Sequence, residues 1–125
     1  MTKKRIMVVD DEPAFVRMMK LVLEKHGPYE VICETNSAQA VETARCCKPD
    51  LVLLDVVMPE IDGGDVAARM HADEELKSVP IIFLTALVSE KETQNGPIMR
   101  AGYRFLGKLT SDNKLFDCIE QNLRM

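Results

Sequence analysis

Apolar residues along the chain fall into short runs separated by longer amphipathic stretches. The runs Ile6 to Val9, Leu51 to Leu54, Ile81 to Leu84 and Tyr103 to Leu106 are too short for helices and nearly unbroken. Such runs suit strands buried on both faces, as in a parallel sheet. Tyr29 to Thr35 alternates instead, with Tyr29, Val31 and Cys33 set against Glu30, Ile32 and Glu34. It predicts a further strand.

The stretches between the runs have helical spacing. Pro13 opens a helix whose apolar side is Phe15, Met18, Met19, Val22 and Leu23, since proline is tolerated in a first turn. Gly27-Pro28 stops it, the glycine being suited to a left-handed cap. Asn36 or Ser37 caps a second helix with Ala40, Val41, Ala44 and Cys47 inward, ended by Lys48-Pro49. A third follows Gly63-Gly64 with Val66, Ala67 and Met70 inward, and the last, capped by Ser111, buries Leu115, Cys118, Ile119 and Leu123. Strands and helices that alternate in this way predict an α/β fold, a parallel sheet covered on both faces with right-handed crossovers.

Ser89 to Pro97 breaks the pattern. It holds no large apolar residue and ends in Gly96-Pro97. A helix on a sheet needs an apolar stripe, so no continuous helix is expected from Ser89 to Ala101. Ser89 and Glu92 have capping-box spacing and can start a turn. Ile98 and Met99 are the expected anchors near the sheet.

With 125 residues, one core and one domain over 1–125 are expected, with no output domain visible, whether the chain stands alone or is a piece of a larger protein. A net charge of −4 disfavours nonspecific nucleic-acid binding. No apolar run approaches a membrane span and no leader precedes the first strand, so a cytoplasmic location is expected. Cys33, Cys46, Cys47 and Cys118 have no metal-clamp spacing and read as reduced thiols, partly in the core. His26 and His71 read as helix-surface residues.

The chemistry gathers at the ends of the runs. Asp10 and Asp11 close the first, Asp55 the third, Thr85 the fourth, and Lys108 follows the fifth. In a parallel sheet these positions share one edge, where open α/β folds bind ligands. Crowded carboxylates resist ionisation. A hard divalent cation relieves that, and Mg2+ suits a few carboxylates plus waters. A phosphoryl group on Asp55 would meet the cation, the Lys108 ammonium and the Thr85 hydroxyl, which are the parts phosphoryl transfer needs.

Asp10-Asp11, Asp55 with Met58-Pro59 and Asp62-Gly63, Thr85-Ala86, and Lys108 together resemble the receiver domain of two-component response regulators, over essentially the whole chain. The resemblance implies a three-layer, flavodoxin-like fold: a five-stranded parallel sheet in the order 2-1-3-4-5 with helices on both faces. The fourth helix is expected to be short or disrupted. The resemblance implies that Asp55 accepts phosphate from a histidine kinase or phosphotransfer protein in a phosphorelay. It implies that Asp10, Asp11 and Asp55 bind Mg2+ with the backbone carbonyl of Val57, and that Thr85 and Phe105 form a switch pair. Such a domain is no enzyme in its own right, promoting only its own phosphoryl transfer and dephosphorylation; its downstream partner is a protein.

The chain departs from the family where Leu109, rather than proline, follows Lys108. A cis bond before a non-proline residue costs roughly 2.5–4 kcal/mol, so a trans Lys108-Leu109 bond is expected. The second departure is Ser89 to Gly102. A degraded helix there makes a poor symmetric dimer face, and a monomer is expected. Three other readings are weaker. A phosphatase of the haloacid dehalogenase type resembles Asp-x-Asp at the nucleophile, and residue 57 is Val. A nucleotide or flavin binder needs a Gly-rich loop where Asp-Asp-Glu-Pro stands. A receiver-like domain working without phosphate does not account for the complete motif set.

Overall fold

The computed structural model describes residues 3–89, 91–92, 97–100, 102–108 and 111–123. In chain order the elements are β1 (Lys4–Val9), α1 (Pro13–His26), β2 (Tyr29–Glu34), a short 3-10 turn (Ser37–Gln39), α2 (Ala40–Cys47), β3 (Leu51–Leu54), α3 (Gly63–His71), β4 (Ile81–Thr85), β5 (Ile98–Arg100), β6 (Tyr103–Gly107) and α4 (Asp112–Leu123). The sheet order is β2-β1-β3-β4-β6-β5. The pairs β1·β2, β1·β3, β3·β4 and β4·β6 are parallel.

Strand periodicity divides the core in two. Ile6, Val8, Leu51, Leu53, Ile82, Leu84 and Leu106 face α1 and α4, meeting Val16, Met19, Leu23, Leu115, Cys118 and Ile119. Met7, Val9, Val52, Leu54 and Phe83 face the other way, onto Ala40 and Ala44 of α2 and Val66, Ala67 and Met70 of α3. Neighbouring strand residues feed opposite layers, which is why Ile6 to Val9 of β1 and the whole of β3 read as unbroken apolar runs. The result is the expected three-layer flavodoxin-like arrangement.

Several local expectations change. The sheet has six strands rather than five, because Ile98–Arg100 pairs antiparallel with β6 as an added edge. Gly102, at φ 83, lies in the two-residue connection between them, a conformation glycine adopts without steric cost. Among the described residues no helix lies between β4 and β6. Ser89 and Glu92 do form the reciprocal capping box, each backbone N–H donating to the other's side chain at 3.1 Å. The remainder of that expectation (residues 90, 93–96 and 101) and the Lys108-Leu109 bond lie outside the described residues.

Gly27 is extended, at φ −155, rather than left-handed. The left-handed cap belongs to Lys48, at φ 51 after α2. Asn36 caps the 3-10 turn rather than α2 itself, its side chain accepting from the Ala38 N–H. Met18 is half exposed, so the buried stripe of α1 is narrower than its apolar spacing suggests.

His26 ties the end of α1 to α4. Its ring stacks on Phe116 with centroids 3.6 Å apart, and its Nε2 lies 3.2 Å from Glu120. Stacking contributes about 0.5–1.5 kcal/mol beyond burial, and the solvent-exposed polar contact with Glu120 adds little. A His26→Ala variant is therefore expected to lose about 1 kcal/mol in urea unfolding. An unchanged midpoint would mean that the stack contributes nothing.

Candidate functional site

The parallel register sets the site. Val9 is level with Leu54, Leu54 with Phe83, and Thr85 with Gly107. The next residues of β1, β3 and β6 are Asp10, Asp55 and Lys108. Backbone bonds carry the ladder past the strand ends and fix those residues. Asp10 N–H donates to Glu34 O at 3.1 Å, Asp55 N–H to Val9 O at 3.0 Å, and Lys108 N–H to Thr85 O at 3.1 Å. Asp55 and Lys108 line one open cleft of about 390 Å3, and Asp10, buried, lies against Lys108. Asp11, Glu12, Thr85 and Leu87 also line it.

The loop after β3 folds back against the site. Ser37 Oγ donates to Pro59 O at 2.7 Å and accepts from Ile61 N–H at 3.2 Å. Asp62 caps α3 by accepting from Asp65 N–H at 2.9 Å. Gly63 N–H donates to Val56 O at 2.7 Å. A Cβ at Gly63 would overlap the Asp55 carbonyl oxygen and stand 2.9 Å from Val56 Cα. Only glycine allows α3 to start this close to the end of β3.

Asp10 is 1% exposed and Asp55 6%, so both carboxylates have lost most of their hydration. Asp10, Asp11 and Asp55 each offer an oxygen within 4.8 Å of the others. Lys108 Nζ lies 2.7 Å from Asp10 Oδ2, 2.8 Å from Glu12 Oε1 and 3.4 Å from Asp55 Oδ2. It also sits 4.7 Å from the centre of the Phe15 ring. Burial pushes the Asp10 carboxyl above its ordinary pKa, and Lys108 and the Glu12 N–H only partly offset that. Burial also works against the charge on Lys108, yet its contacts with Asp10 and Glu12 outweigh it and hold that amine above its ordinary pKa.

The donor set fits a hard divalent cation. Asp10, Glu12 and Asp55 share the Lys108 ammonium, and Asp11 offers a further carboxylate oxygen beside Asp10 and Asp55. Asp10 Oδ2, though ion-paired with Lys108, is buried without a hydrogen bond of good geometry.

Of the residues singled out from the sequence, Asp10, Asp11, Asp55, Thr85 and Lys108 come together. Val57 lines the cleft and is 60% exposed. Phe105 does not line it. It lies one strand repeat back from Gly107, stacked on Phe83 with centroids 4.7 Å apart. Thr85 is fully buried, and its Oγ1 accepts from Leu87 N–H at 3.3 Å. Sequence reasoning missed Glu12 and Phe15 as partners of Lys108. A carboxylate two residues beyond Asp10 was in view, but nothing in its spacing joins it to a lysine 96 positions away.

Comparison with known proteins agrees with this geometry. Residues 6–120 match the family described as response regulator receiver domain. The chain is 34% identical over 116 residues to Protein PilH of Pseudomonas aeruginosa, covering 92% of this chain and 93% of that protein. It is 32% identical over 91 residues to the polar-differentiation response regulator DivK of Brucella anthropi, 73% of each. Among solved structures, the BeF3-activated N-terminal receiver domain of Klebsiella pneumoniae RstA superposes with a TM-score of 0.80 at 28% identity, covering 98% of this chain and 100% of that one.

Proposed function

The chain belongs to the response regulator receiver family of two-component signalling, and on that premise we propose that Asp55 is its phosphoryl acceptor. The observation that carries this reading is the Asp55 carboxylate itself. It lines the cleft with Lys108 Nζ 3.4 Å away and the Asp10 and Asp11 oxygens within 4.8 Å.

The donor is a phosphohistidine on a histidine kinase or phosphotransfer protein. An Asp55 oxygen forms the new O–P bond as the P–N bond to the donor breaks. The imidazole leaves with the bonding electrons and takes up a proton. Asp10, Asp11 and Asp55, with the Val57 carbonyl, would hold Mg2+. The ion, when bound, neutralises charge on the phosphoryl oxygens. Lys108 brings its ammonium to a phosphoryl oxygen, and Thr85 offers its hydroxyl to another. Bonding of Thr85 to the phosphoryl group takes its Oγ1 away from the Leu87 N–H, which passes the change to the loop after β4. Phe105, packed on Phe83, is the aromatic member of that switch. The output is contact with a downstream protein rather than catalysis, in the cytoplasm and as a monomer.

The experiment is intact mass after incubation with acetyl phosphate, with Mg2+ or with a chelator. A gain of one phosphoryl group that depends on Mg2+ is expected; no gain in either would refute the reading.

A second prediction concerns the cation alone. A ligand bound only by the folded state stabilises it by mass action, about 1.4 kcal/mol at ten times its dissociation constant. The thermal midpoint of the parent protein is expected to rise in millimolar Mg2+, and that of Asp11→Ala to rise far less. Equal rises would remove Asp11 from the ligand set.

A further inference from the structure

Glu12 is placed as a helix cap but does not cap. It is the residue before α1, with extended backbone at φ −94 and ψ 106, and its side chain makes no capping hydrogen bond. The carboxylate reaches instead across the cleft to Lys108 Nζ at 2.8 Å. That ammonium is thereby drawn to the β1–α1 side. It lies against Asp10 and Glu12, over the Phe15 ring, and further from Asp55, at 3.4 Å. The Lys108 side chain is 12% exposed whereas that of Glu12 is 64% exposed. The pair therefore has a buried end at the lysine and a wet end at the glutamate.

We propose that Glu12 is a positioning residue for Lys108: a tether that draws the ammonium to the β1–α1 side of the cleft at rest, nearer Glu12 than Asp55, and must release it when the phosphoryl group arrives. This rests on Asp55 being the acceptor. The tether acts as a brake. Each phosphorylation must break the Glu12–Lys108 pair before the ammonium can serve a phosphoryl oxygen, and each dephosphorylated molecule regains it. Because the glutamate end is solvated, the pair is weak, and the brake is worth roughly threefold to fivefold in rate.

Reach separates this from a general field effect. Glu12→Gln keeps the arm and removes the charge. Glu12→Asp keeps the charge and shortens the arm by one methylene, so it no longer spans to Lys108. A tether is lost in both variants. A mere negative field at the cleft mouth is lost only in Glu12→Gln.

The test compares parent, Glu12→Gln and Glu12→Asp in three measurements. These are the rate of phosphorylation by acetyl phosphate with Mg2+, the affinity for beryllofluoride read by 19F NMR, and the 15N resonance of the Lys108 ammonium without either ligand. Both variants are expected to phosphorylate about three to five times faster than the parent and to bind beryllofluoride tighter by a similar factor. Both are expected to shift the Lys108 resonance, with urea midpoints unchanged. If Glu12→Asp matches the parent while Glu12→Gln is faster, the tether is refuted in favour of a field. If both match the parent in rate and resonance, Glu12 does not position Lys108. If the parent itself takes up no phosphoryl group, the reading of Asp55 fails, and this inference with it.

Discussion

Asp55→Asn is expected to take up no phosphoryl group, with the rate from acetyl phosphate falling by at least about 10³. The substitution is close to isosteric, and the backbone bond from Asp55 N–H to Val9 O at 3.0 Å does not involve the side chain. The strand end therefore stays in place. An amide oxygen is a far weaker nucleophile than a carboxylate, so the O–P bond does not form. Asp10 and Asp11 remain nearby, but Asp10 is already engaged by Lys108 at 2.7 Å. The folded state should not suffer, since one of three crowded carboxylates has gone and Lys108 keeps Asp10 and Glu12. Urea unfolding gives the stability and intact mass gives the uptake. Labelling of Asp55→Asn at the parent's yield would transfer the role to another carboxylate.

Gly63→Ala is expected to damage fold and site together. The added methyl overlaps the Asp55 carbonyl oxygen and crowds Val56 Cα at 2.9 Å. Both neighbours are backbone at the end of a central strand, so neither can rotate away. Overpacking of this kind costs about 1–3 kcal/mol, and the upper end is expected here. The loop must shift, which carries the Asp55 carboxylate with it, and small displacements of a reacting group cost roughly 10²-fold in rate. Gly64→Ala is the control. Its methyl would meet only the Asp62 side chain, at 3.3 Å, and alanine in a helix is favoured over glycine by about 1 kcal/mol. A Gly63→Ala protein as stable as Gly64→Ala would mean that the close approach of α3 to β3 is not what requires glycine.

Most of the fold could be read in advance because Ile6 to Val9 of β1, all of β3 and Ile81 to Leu84 of β4 are buried on both faces, which forces apolar residues at those positions. The site was legible for the same reason: a carboxylate or ammonium that ends such a run has one place to be, at the sheet edge. The rest lacked that kind of signal. Ile98–Arg100 is too short to show a period, and its pairing with Tyr103–Arg104–Phe105 is set by the turn at Gly102. Met18 has the helical spacing of a core residue, yet it lies on the border of the stripe and faces solvent. Whether Gly27 or Lys48 takes the left-handed conformation depends on where the next strand must begin. Glu12 and Phe15 meet Lys108 only through the tertiary fold.

The central claim is that Asp55 carries the phosphoryl group, and the most direct measurement identifies the labelled residue chemically. Protein treated with acetyl phosphate and Mg2+ is reduced with borohydride, which converts an aspartyl phosphate to homoserine, and the peptides are sequenced by mass spectrometry. Homoserine at position 55, and absent without acetyl phosphate, is the expected result. Homoserine at position 10 or 11 instead, or none anywhere in a protein that has gained the mass, would contradict it.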